Sequence, residues 1–220
     1  MAADSGRFVH DRDSVEFARV LTFSDGMFAI AMTLLVVGIE VPDIPDTESV
    51  RELWDALGDL SPSIISFVIS FAVIGRYWLA HHQFFSLLKG ITLPVIALNL
   101  VYLLFIAFLP FPTGLLGNFF ENPLAFTIYS VAVAAVSGME VLMFRAVRRA
   151  KLLRRPLPDD VYRWGVIQSL SPVVFFLASI PVAYLVDPSI AAAMWFLGLP
   201  FAAISSRWKP EGADGLLGGL

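Results

Sequence analysis

The chain reads as an all-α membrane protein with six transmembrane helices, and three observations predict that class. Hydrophobic residues make up 57% of its 220 residues and charged ones only 15%, against roughly 45–50% and ~25% in a soluble domain. Six apolar runs, at 17–38, 60–79, 91–116, 123–144, 165–186 and 189–205, reach or approach the roughly 20 residues that cover ~30 Å of hydrocarbon. Fourteen of the fifteen lysines and arginines fall in segments that six crossings place on one side, with Arg51 alone on the other. A soluble fold can hide one such run, but the others need a polar face.

Taken in order, residues 1–16 are polar and carry Arg7 and Arg12, which marks a cytoplasmic N-terminal segment under the positive-inside rule. The first run is too long for a signal-peptide core. It leads into Ile39-Glu40-Val41-Pro42 rather than a small-residue cleavage site. An outer loop follows at 41–59, with a short helix expected over 48–57. Its acids, from Asp43 to Asp59, together with Glu40, suit either a cation-attracting vestibule or an ordinary solvated loop.

The second run ends near Arg76, His81 and His82, and Lys89 completes an inner loop. Pro94, Pro110 and Pro112 lie in the third run, and Pro172 and Pro181 in the fifth. Each removes one backbone hydrogen bond and can kink a helix that packed neighbours support. The fourth run leads into seven basic residues between Arg145 and Arg163, which read as a cytoplasmic anchor or an anionic-lipid contact. The sixth run is the shortest. It closes a single membrane domain at 17–206, and a glycine-rich tail at 207–220 is expected to be disordered. Both termini then lie on the basic, cytoplasmic side.

Several chemistries are excluded. There is no cysteine, so no disulfide, thiolate metal site or thiol nucleophile. No P-loop, G-x-S-x-G or H-E-x-x-H is present. No enzymatic activity, bound cofactor, metal site or nucleic-acid partner is expected. Adjacent His81 and His82 point about 100° apart on a helix and lack an evident third ligand.

Two groups of residues stand out. Ile30, Thr33, Leu34 and Val37 are spaced i, i+3, i+4, i+7 and share one helix face, which Met27 extends inward. Repeated around an axis, such a face makes apolar rings that gate by dewetting. On periodicity alone it fits a lipid-facing or core stripe better. Asp25 is the second signal, because a carboxylate at membrane depth costs roughly 2.5–3.5 kcal/mol and calls for a partner. Arg19 is six residues back, about 240° around the helix, and cannot serve within that helix. Trp78, His81 and His82 stand at the same end of the second run. The expectation is a buried network of Arg19, Ser24 and Asp25 with Trp78 and one histidine. Alternatively, Trp78 belongs to an aromatic belt and the histidines to an exposed loop.

The segment Arg19-x-x-x-Phe23-Ser24-Asp25-Gly26, followed by Phe28-Ala29-Ile30-Ala31-x-Thr33-Leu34-Leu35, resembles the signature of the transmembrane-protein-175 family of potassium channels. Trp78-x-x-His81-His82 after the second run also recurs there. The resemblance implies a channel for permeant K+ whose first helix lines the central pore of an oligomer. Ile30 then matches the family's apolar constriction, and Thr33 the threonine ring implicated in cation selection. It further implies a prokaryotic six-helix form, a homotetramer in the lipid bilayer of the cell membrane. A proton-coupled secondary transporter using Asp25 with His81 or His82 is the rival reading. Against it, the sequence shows no inverted repeat and no pair of broken helices.

Overall fold

Six spans long and apolar enough to cross a membrane organise the computed structural model, which describes residues 9–211. Six such spans in one chain are the architecture of an integral multi-pass membrane protein. The first span is α1 (Val15–Val37), started by Ser14, whose hydroxyl accepts from the Phe17 N–H at 3.2 Å. A short α2 (Val50–Asp59) lies in the following loop, capped by Ser49 and two residues later at each end than expected. The second span is α3 (Ser61–Ser86). The third is split into α4 (Leu93–Phe108) and α5 (Pro110–Asn118). Then come α6 (Pro123–Arg149) and α7 (Asp159–Leu185). The sixth span consists of α8 (Pro188–Trp195) and α9 (Gly198–Ser205).

The prolines act unequally. Pro110 occupies the first position of α5, where its missing N–H costs nothing, and the third span breaks there. Pro172 and Pro181 stay inside a continuous α7. The helices also outrun their apolar windows. α3 extends to Ser86, α6 to Arg149, and α7 begins at Asp159. Charge ends an apolar run but not a helix, whose backbone bonds continue into the headgroup layer.

The expected polar lead-in is ordered from residue 9. A strand β1 (Val9–Asp11) pairs antiparallel with β2 (Gly90–Thr92), with His10 opposite Ile91. The close approach demands glycine at position 90, where a Cβ would sit 2.7 Å from the His10 carbonyl oxygen. Arg12 donates to the carbonyls of Ser86 (2.9 Å) and Phe85 (3.3 Å), satisfying orphan acceptors at the end of α3. At the same end, Lys151 takes a left-handed conformation (φ 55°) after α6. Its N–H reaches the Arg148 carbonyl, and the Leu152 N–H reaches that of Val147, both at 3.1 Å. That pair of bonds is a Schellman closure.

The 1–16 segment is thus described only from residue 9. The 207–220 tail is described only to Glu211, the rest lying outside the described residues.

Two apolar clusters result. One runs through the membrane part, from Phe28, Ala31 and Leu35 through Ile74, Tyr102 and Ile106 to Phe126, Tyr129 and Trp195. The other closes the basic end, with Phe17, Phe84, Phe85, Leu88, Phe144 and Val161. α1 packs against α3, α4 and α5, while α7 packs against α6, α8 and α9.

Candidate functional site

α1 divides into two faces. Phe17, Ser24, Phe28, Ala31 and Leu35 are buried, following helical spacing down one side. Ile30, Thr33, Leu34 and Val37 lie on the other, uncovered: Ile30 is 55% exposed, Leu34 46% and Val37 73%. Met27 does not extend that open stripe. It is half-buried and packs with Met32 against the membrane cluster. The Thr33 hydroxyl donates to the Ile30 carbonyl at 2.9 Å, which leaves its oxygen lone pairs available as acceptors.

The polar residues form two separate groups rather than one. Trp78 Nε1 donates to Asp25 Oδ1 at 2.9 Å, near the protomer surface. His82 is exposed, with its ring 5.7 Å from that of Trp78. The second group is buried. Ser24 donates to the Val20 carbonyl (2.8 Å) and accepts from Asn99 Nδ2 (3.0 Å), and Asn99 Oδ1 meets His81 Nε2 at 2.9 Å. Because that Asn99 atom can only accept, His81 carries its proton on Nε2. Its Nδ1 is buried without a partner among the described residues, and the ring stacks on Phe85 at 4.3 Å and Tyr102 at 5.7 Å. Ser24 and His81 thus share a network, but through an asparagine on α4.

Arg19 departs from expectation. It is exposed, has no ion pair or hydrogen bond among the described residues, and lines a groove with Glu16, Phe23 and Ile96. The 240° offset turns it away from Asp25, and at the basic end of α1 its long side chain can reach water. Phe23 is exposed beside it.

The sequence pattern singles out neither Asn99 nor Glu140, although each is a lone polar group inside an apolar run, which is costly in lipid. Glu140 Oε1 is buried with no hydrogen-bond partner among the described residues. Further buried hydroxyls join helices: Tyr77 to Ser137 (2.6 Å) between α3 and α6, and Thr113 to Ser70 (2.8 Å) between α5 and α3. Among the described residues, no cluster of three metal-ligating side chains occurs.

The family profile described as "Endosomal/lysosomal potassium channel TMEM175" matches residues 19–110, the stretch from Arg19 to the break in the third span. A Streptomyces collinus protein named as a potassium channel is 38% identical over 84% of this chain and 90% of its own length. This chain belongs to the TMEM175 family. A Chamaesiphon minutus relative, whose crystal structure is described as a lysosomal potassium-selective channel TMEM175 homolog, superimposes with a TM-score of 0.70. It is 29% identical, over 87% of this chain and 99% of that one. A Bos taurus protein named as an endosomal/lysosomal proton channel TMEM175 is 36% identical over 48% of this chain but only 23% of its own length. The family is one of ion channels, not enzymes, and its six-span helical fold is the fold seen here.

Proposed function

We propose that this chain is a potassium channel of a bacterial cell membrane, a homotetramer whose pore is lined by α1. The observation that carries the reading is the uncovered face of α1. A signature-bearing helix leaves Ile30, Thr33, Leu34 and Val37 open to a neighbour while its other face is packed. Four such faces around an axis make an apolar constriction of Ile30 and Leu34, which closes the pore by excluding water. A ring of Thr33 oxygens one turn from Ile30 offers acceptors to a partly dehydrated cation. The basic residues put both ends of the chain in the cytoplasm.

The proton-coupled transporter needs Asp25 to exchange a proton with a histidine. The third and sixth spans are both broken, a pair the sequence did not reveal. In the protomer, however, Asp25 is bonded to Trp78 and His81 to Asn99, so the proton exchange that rival needs has no direct contact.

Potassium and sodium fluxes into liposomes test the channel reading. Ile30→Asn places hydrogen-bonding groups in the dry ring, so resting flux should rise and discrimination should fall. Thr33→Ala should blunt selectivity with less effect on closure. Unchanged flux and ion ratio for Ile30→Asn in verified oligomers would remove α1 from the pore.

A further inference from the structure

The basic end of the α6–α7 pair carries a groove of about 340 Å³ lined by Val141, Arg145, Tyr162, Arg163, Val166 and Ile167. Its chemistry is graded along the axes of the two helices. Arg145 is four residues from the end of α6 at Arg149, and Arg163 four residues from the start of α7 at Asp159. On antiparallel helices both therefore sit about 6 Å in from the same end. Val141 and Ile167 lie one further turn, again about 6 Å, toward the membrane centre. The groove is cationic at headgroup depth and apolar below it.

The local carboxylates do not serve these two arginines. Asp159 pairs with Arg148, whose guanidinium also lies over the Tyr162 ring at 3.9 Å from its centre. Tyr162 is held in turn against Phe144, with ring centres 5.0 Å apart. Arg145 and Arg163 are exposed and have no ion pair among the described residues. Two unpaired guanidiniums above an apolar floor match a phosphodiester above an acyl chain. α7 packs on α6, α8 and α9, whereas the proposed pore face is on α1. The groove therefore fits the lipid-facing perimeter of the channel.

We infer that this groove is a binding site for an anionic phospholipid, with Arg145 and Arg163 on the phosphate and Val141, Val166 and Ile167 against one acyl chain. Native mass spectrometry of the full chain tests it, in micelles carrying equal phosphatidylglycerol and phosphatidylcholine. The wild type should retain phosphatidylglycerol selectively. Arg145→Gln/Arg163→Gln should lower that retention roughly tenfold or more, while Arg154→Gln/Arg155→Gln, outside the groove, should keep it. Ile167→Asp supplies an independent variant and should also lose the lipid. Equal loss from both arginine pairs would mean diffuse charge and overturn the site. Complete displacement by inorganic phosphate would make it an anion site without a lipid. Dissociation of the oligomer in the Arg145→Gln/Arg163→Gln variant would assign the groove to a neighbouring copy instead. The readout is bound lipid, so the inference stands or falls independently of the pore.

Discussion

The two faces of α1 are both largely apolar, yet only one is packed. The buried face carries small or hydroxylic residues, Ser24 and Ala31, among the larger Phe17, Phe28 and Leu35. The open face carries Ile30, Leu34 and Val37 around a single threonine. In lipid there is no hydrophobic gain in bringing helices together, so contact is decided by close backbone approach and by hydrogen bonds. Ser24 and Ala31 permit that approach, and Ser24 adds a bond to Asn99. The branched face has no such claim on the protomer's own helices, which leaves it free to meet identical faces of other copies. The difference teaches that hydropathy alone does not assign a membrane helix its inner side: Leu35 is buried and Leu34 open, and a group bonded to another helix, such as Ser24, marks the packed face.

The largest expected effect is on the buried face. Ala31 is 0% exposed, so Ala31→Phe should destabilise the protomer by about 3 kcal/mol through overpacking, read as a lower midpoint of thermal unfolding in detergent. Ile30→Phe, one position earlier but uncovered, should leave that midpoint nearly unchanged, and equal losses would break the distinction. Next comes Asn99→Ala. It strips His81 Nε2 of its partner and removes a donor from Ser24, a cost of roughly 2 kcal/mol. The smallest is Asp25→Ala, at the border between the faces. It removes one hydrogen bond near the surface, from Trp78, for roughly 1 kcal/mol, and Trp78→Phe should match it. A loss as large as that of Ala31→Phe would mean that Asp25 is buried against another copy.

Hydropathy and the basic residues made the six spans legible, because length and charge asymmetry are properties of the chain itself. Span ends were less so: Arg149 and Asp159 still belong to helices, since leaving hydrocarbon does not break an i→i+4 ladder. The break before Pro110, against the continuity through Pro172 and Pro181, depends on what packs nearby, and no local rule separates the three. Asp25, Trp78, Ser24 and His81 were recognisable as polar groups at one membrane depth. Which of them touch was not, because the missing link, Asn99, lies 75 residues from Ser24. Arg19 was misplaced for a related reason. A guanidinium near a helix end can be satisfied by water, so it does not need the partner that a deeper charge needs.

The central claim is that the open face of α1 borders the ion path, and the absence of cysteine makes it directly testable. Leu34→Cys introduces the chain's one thiol on that face. Potassium flux through reconstituted Leu34→Cys oligomers should be blocked by a charged methanethiosulfonate reagent, while wild-type flux is untouched. Ala97→Cys, on an exposed position of α4, should be insensitive. If mass spectrometry shows the Leu34→Cys thiol fully modified and potassium flux continues at its original rate, the open face of α1 does not line the pore.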